Sequence, residues 1–103
     1  RQVSSAASDV YKRQTVYTTP ADTFTVATIS FCNRGNQAVT VRLAVADTAT
    51  PDNSEYVEYE TEILSHGVLE RTGLVLSATQ LLVAHSSATN VSAVVSGIET
   101  STA

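Results

Sequence analysis

Methionine and tryptophan are absent from this 103-residue chain, and lysine and cysteine occur once each. The lone cysteine, Cys32, excludes an intrachain disulfide and argues against a disulfide-stapled secreted scaffold. No apolar run approaches the roughly 18–20 residues of a membrane span. The first residues lack the apolar stretch of a signal peptide. Cations are scarce: six Lys and Arg stand against ten Asp and Glu, for a formal net charge of −4. Lys12, Arg13 and Arg1 all fall within residues 1–14, leaving Arg34, Arg42 and Arg71 to the remainder. So few positive charges offer no footprint for neutralising phosphates, which argues against nucleic-acid binding. The acidic balance favours solubility.

What is abundant is Val, Thr, Ala and Ser. β-Branched residues at this density favour pleated, half-buried strands over helices. A chain of this length fits one domain with one core.

Residues 1–14 differ from the rest. They are polar, have no period of two and hold half the cations, and they read as a flexible leader. The segment closely resembles a translated sequencing-adapter fragment found at the ends of metagenome-derived reading frames. That resemblance implies a scar outside the fold and a natural N-terminus missing from the sequence.

From Thr15 onward, strands alternate with turn chemistry. Thr15–Thr18 is a short strand stopped by Thr19-Pro20-Ala21-Asp22. Thr23–Cys32 is a longer one, with Phe24 and Phe31 expected in the core. It ends at Asn33-Arg34-Gly35-Asn36, where Asn and Gly suit the positive φ of a hairpin turn. In Ala38–Asp47, Val39, Val41, Leu43 and Val45 alternate with Thr40, Arg42, Ala44 and Ala46. One face is therefore core and the other wet or lightly covered. Tyr56–Ser65 has a mixed pattern, open to a bend leading into an edge strand whose carboxylates face solvent. Val68–Ser77 is a strand interrupted by Gly73, which suggests a bulge. Gln80–Ser86 and Val91–Glu99 are the last two strands, separated by Ser87–Asn90, and residues 100–103 form a frayed tail.

About seven strands at 8–12-residue spacing is the pattern of a sandwich or barrel, and the short connections make the pairing antiparallel. The expectation is an all-β, antiparallel β-sandwich, Ig-like or jelly-roll-like, spanning residues 15–99.

Catalysis would need a histidine beside a nucleophile, oriented by a third group. His66 lies in a Ser-His-Gly turn, which suits a solvated residue. His85 shares a strand face with Leu81 and Val83 and reads as a rim or satisfied core histidine. Cys32 at a strand end reads as a small buried hydrophobe. No triad spacing links them, so the chain reads as non-enzymatic and without a cofactor. Zinc spacings such as CxxC or HxxxH are missing. Asp52, Glu55, Glu58, Glu60 and Glu62 could recruit calcium, but lack the ordered spacing of a calcium loop and read as a solvated face. Tyr56 and Tyr59 are the candidate exposed aromatics, suited to a protein interface or a small carbohydrate platform.

Four segments, Tyr17-Thr-Thr-Pro20, Ile29–Gly35, Val39–Val45 and Val91–Glu99, resemble in this order segments of small virion proteins, with Leu69–Gly73 similar to the same pattern. On these the chain resembles tail-, neck- or fibre-associated β-sandwich proteins of tailed phages, especially those of marine bacteria. The resemblance implies a virion location and an oligomeric building block without enzyme activity. It also implies partners among its own copies and other virion proteins, with no nucleic acid and no membrane. Within it, Gly97 is expected to allow close backbone approach. The alternative class is an Ig-like or carbohydrate-binding module of a larger cell-surface protein.

Overall fold

The alternation in Val39–Ala46 translates directly into structure. Val39, Val41 and Leu43 are buried in the main core, while Thr40 and Arg42 stay half-exposed on the far side. Further along that far side, Ala44 and Ala46 are buried with Val83 beneath Tyr56 and Leu81, a small second cluster that covers the strand lightly. The computed structural model describes residues 2–4 and 8–102. It is all-β and antiparallel throughout, with β1 (Gln2–Ser4), β2 (Ser8–Thr18), β3 (Thr23–Asn33), β4 (Val39–Ala46), β5 (Tyr56–Ile63), β6 (Val68–Leu76) and β7 (Leu81–Ser101). A single 3-10 turn, Asn53–Glu55, sits between β4 and β5, and no α-helix occurs among the described residues.

The strands form one curled sheet in the order β5-β4-β7-β3-β6, with β1 and β2 also on β7. Its curl comes from β7. Leu81–Ser86 runs between β4 and the second half of β2, whereas Val91–Ser101 runs between β3 on one side and β1 and the start of β2 on the other. Two limbs result, and their inward side chains meet. Val41, Leu43, Leu82 and Ala84 of the first limb share one core cluster with Ile29, Phe31, Leu76 and Val95 of the second. Each such fully buried aliphatic or aromatic side chain contributes about 1.5–3 kcal/mol.

Several sequence expectations change here. The break expected at Ser87–Asn90 is absent, and the two final strands are one. Buried Ser86 bends the chain without ending it: its Oγ donates to the Ala88 carbonyl (2.8 Å) and accepts from the Ala88 amide (3.2 Å). The segment expected to be an unstructured leader is, from Ser8 on, part of β2. Val10 is fully buried, and Lys12–Gln14 pair with Ser86–Ala84, occupying hydrogen-bonding groups that β7 would otherwise leave open. Thr100 and Ser101, expected to fray, extend β7 opposite Phe24 and Thr23. Gln2–Ser4 of the expected leader form β1, and residues 1, 5–7 and 103 lie outside the described residues.

The Asn33–Asn36 segment is not a hairpin turn. β3 and β4 do not pair with each other, and no residue of that segment has positive φ. Asn33, completely buried, builds the connection with its side chain instead. Its Oδ1 accepts from the Gly35 amide (3.0 Å), and its Nδ2 donates toward the carbonyls of Gln37 (2.8 Å), Ile63 (3.1 Å) and Leu64 (3.2 Å). The Asn33 amide donates to Gly67 and the Arg34 amide to Asn90. Asn33 and its neighbour Arg34 therefore tie together the β3–β4 link, the β5–β6 turn and the corner of β7.

Gly73 and Gly97 meet expectation. Gly73 has φ +69° at a register shift between β6 and β3, a glycine bulge. At Gly97 an added Cβ would lie 2.3 Å from the Val26 carbonyl oxygen, so β3 and β7 approach closely only without a side chain there. At the opposite end from Asn33, the Tyr17 hydroxyl donates to Glu99 (2.5 Å) and lies 2.9 Å from the Thr25 hydroxyl, linking β2, β3 and β7.

Candidate interaction surfaces

Tyr56 and Tyr59, the sequence candidates, come together on the outside of the first limb. Their ring centroids are 5.2 Å apart at 78°, an edge-to-face pair. A bulge in β5 makes this possible: Glu60 takes φ +53° and the pairing with β4 skips Tyr59 and Glu60. A non-glycine residue in that conformation marks local strain. The consequence is that Tyr59 and Glu60 both reach Arg42. The guanidinium carbon lies 4.4 Å from the Tyr59 ring centre and the guanidinium pairs with the Glu60 carboxylate. The hydrogen bond from Arg42 holds the Glu60 carboxyl below its ordinary range, and the same bond raises Arg42. Tyr56 is half-buried over Ala44 and Val83, while Tyr59 is 57% exposed.

His85 extends this face. It stands across from Arg42 on β4 and Arg13 on β2. Burial, then the positive charge of Arg42, holds its pKa below the usual histidine range, and its Nδ1 is buried without a hydrogen-bond partner. Of the two sequence readings, rim or satisfied core, the half-buried imidazole beside two arginines fits the rim and not the satisfied core. His66 is exposed at the β5–β6 turn with φ +59°. Cys32 is half-buried on the outward side of β3, opposite Val68, rather than in the core. Among the described residues, no hydrogen bond joins either imidazole to a hydroxyl or thiol.

Besides Glu60, two carboxylates of the acidic stretch have local partners. Glu55 accepts from the Asp52 (2.8 Å) and Asp47 (3.1 Å) amides, and Glu58 from Arg71 (2.5 Å) and the Thr61 hydroxyl (2.8 Å). Among the described residues no three His, Cys, Asp or Glu side chains converge on a point that could hold a metal ion. A cleft of about 130 Å³ beside Asn33, Gln37 and Asn90 is lined by amide, glycine and apolar residues, none of them ionisable.

A second surface was not among the sequence candidates. On the outside of the other limb, Val75, Val26 and Ile98 stand side by side across β6, β3 and β7, at 61, 43 and 59% exposure. Phe24, expected in the core, lies beside Val26 on this outer face because the inward phase of β3 belongs to Thr25, Ala27, Ile29 and Phe31. Val94 and Val68 add to the same face. The signal was present in the sequence: Phe24–Ile29, Leu74–Leu76 and Ala93–Val95 are apolar at both parities, as in strands covered on both sides.

No helix among the described residues is long and apolar enough to cross a membrane. No protein-family model matches the chain, and no curated protein matches it.

Proposed function

We propose that this domain is a non-enzymatic assembly module of a tailed-phage particle, part of its tail, neck or fibre, acting through contacts with its own copies and other virion proteins. The observation that carries the assembly role is the exposed apolar row Val75–Val26–Ile98, on a sheet face whose strands are apolar at both parities. Contiguous exposed apolar area of this kind marks a protein contact. The ordered resemblance of Tyr17–Pro20, Ile29–Gly35, Val39–Val45 and Val91–Glu99 to virion proteins supports the particle as its setting. In this reading the curled sheet is a two-layer sandwich, with β7 turning the corner between layers and each outer face free to meet a neighbour.

A carbohydrate-binding or Ig-like module of a cell-surface protein is the second reading, favoured by the Tyr56–Tyr59 pair. Against it, Arg42 already lies over the Tyr59 ring, where a sugar would stack.

Mass spectrometry of density-purified particles from the source that encodes this chain tests the proposal. Peptides of the chain are expected in the particles, and portal, sheath, baseplate or capsid genes beside its reading frame. Absence from particles, with retention in a host surface fraction, would overturn it. Binding on a glycan array that is lost in Tyr59→Ala would favour the second reading.

A further inference from the structure

The assembly reading leaves open which surface is used and what covers it. We infer that the outer face of the β6–β3–β7 limb pairs with the same face of a second copy of this chain, forming a two-fold dimer around Val26. This inference rests on the assembly reading and names its first contact.

Area is the first argument. Phe24, Val26, Val68, Val75, Val94 and Ile98 are each 37–62% exposed. Six side chains of this size at half exposure leave on the order of 400–500 Å² of apolar surface uncovered, enough to mark a contact on a monomer. It also matches the apolar share of the roughly 800 Å² that each partner contributes to an interface of standard size.

Charge is the second. The chain carries a formal net charge of −4, yet the outward positions of these three strands include one ionisable carboxylate, Glu70, beside small hydroxyl residues such as Ser30 and Ser96. A basic partner would find almost nothing to pair with there. A second copy brings an equally uncharged face, and the β5 carboxylate that reaches β6, Glu58, is already paired with Arg71.

Symmetry is the third. A two-fold contact places the same patch on both subunits. With the axis at Val26, Val75 of one copy comes over Ile98 of the other, and the reverse, so apolar meets apolar along the whole row. The small side chains around the row let two sheets approach to the roughly 10 Å of face-to-face packing.

Sedimentation equilibrium of the full chain from about 1 μM to about 1 mM tests this; area does not fix the affinity, so the upper end is chosen to populate even a weak dimer. Wild type is expected to dimerise, and Val26→Lys/Ile98→Lys to weaken association at least tenfold. Val75→Lys alone, on the edge strand, is a second variant that spares the β3–β7 pairing, and it is expected to weaken association in the same direction. Thermal melts report that the variants are folded. A wild type that stays monomeric throughout overturns the dimer, as does association unchanged in the folded variants. A chain found in particles yet monomeric in solution fails this inference alone. A chain absent from particles fails the assembly reading whatever its oligomeric state.

Discussion

Replacing Asn33 with aspartate changes little in size but exchanges the Nδ2 donor group for a second oxygen. In the native protein that nitrogen faces the carbonyl oxygens of Gln37, Ile63 and Leu64 at 2.8–3.2 Å, in a fully buried position. Two N–H groups serve three acceptors, so two hydrogen bonds are lost at about 1 kcal/mol each, and the Ile63 carbonyl, whose bond is the buried one of the three, adds about 1–3 kcal/mol when left unpaired. The expected loss is therefore about 3–5 kcal/mol out of a total stability of roughly 5–15 kcal/mol, or a fall in Tm of roughly 15–30 °C for a domain of this size. Urea unfolding followed by tyrosine fluorescence and far-UV circular dichroism measures it. A protonated aspartic acid can donate one of the missing bonds, so the variant's folded-state pKa lies above the unfolded value of about 3.9. The penalty is therefore greatest above the folded pKa and shrinks as pH falls through it. A loss below about 1 kcal/mol at pH 7, or one with no dependence on pH, would refute the view that Asn33 ties the β3–β4 link to the β5–β6 turn.

Gly97→Ala places a Cβ against the Val26 carbonyl and the Ala27 Cα, both backbone atoms of β3. A destabilisation of at least about 2–3 kcal/mol is expected in denaturant titrations, and wild-type stability would show that the strands part freely. His85 has a folded pKa held below its unfolded value, so the unfolded chain takes up the proton first. Stability is then expected to fall as pH drops below about 6.5, and His85→Gln to flatten that slope in Tm measured between pH 7.5 and 5. Parallel slopes for the two proteins would contradict the assignment. Tyr59→Ala removes an exposed ring beneath Arg42 and is expected to lower stability by less than about 1 kcal/mol. A larger loss in thermal melts would mean that the Tyr56–Tyr59 pair supports the second core cluster rather than a surface.

Legibility in the sequence followed the number of competing phases. β4 has one apolar parity, Val39 to Val45, and its inward face was readable directly. β3 is apolar at both parities at its start, so Phe24 gave no sign that Thr25 and Ala27 point inward in its place. The same ambiguity hid the Val75–Val26–Ile98 row, because that row depends on register between strands distant in sequence. Gly73 and Gly97 were readable because glycine has few reasons to occupy a strand. The αL residues Lys12 and Glu60 were not, since nothing in either side chain marks a bulge. Asn33 looked like ordinary turn chemistry; its reach to Ile63 and Leu64 is a tertiary fact that no local pattern carries. Tyr56 and Tyr59 were named from the sequence as exposed aromatics; that Tyr56 is half-buried, and that Arg42 caps Tyr59, required the pairing of β4 with β5.

Strand β7 has a further consequence, in the order of events during synthesis. Every pairing in the sheet except β3–β6 and β4–β5 involves β7, and all its partners precede it in the chain. Before β7 emerges, the nascent protein can form only the β4–β5 pair nested within β3–β6, with the inner edges of β3 and β4 open to any passing strand. Closure by such long-range pairing takes milliseconds to seconds, during which neighbouring copies on one message can capture those edges. Yield at high expression should therefore depend on translation rate and temperature more steeply than the stability of the finished domain would suggest.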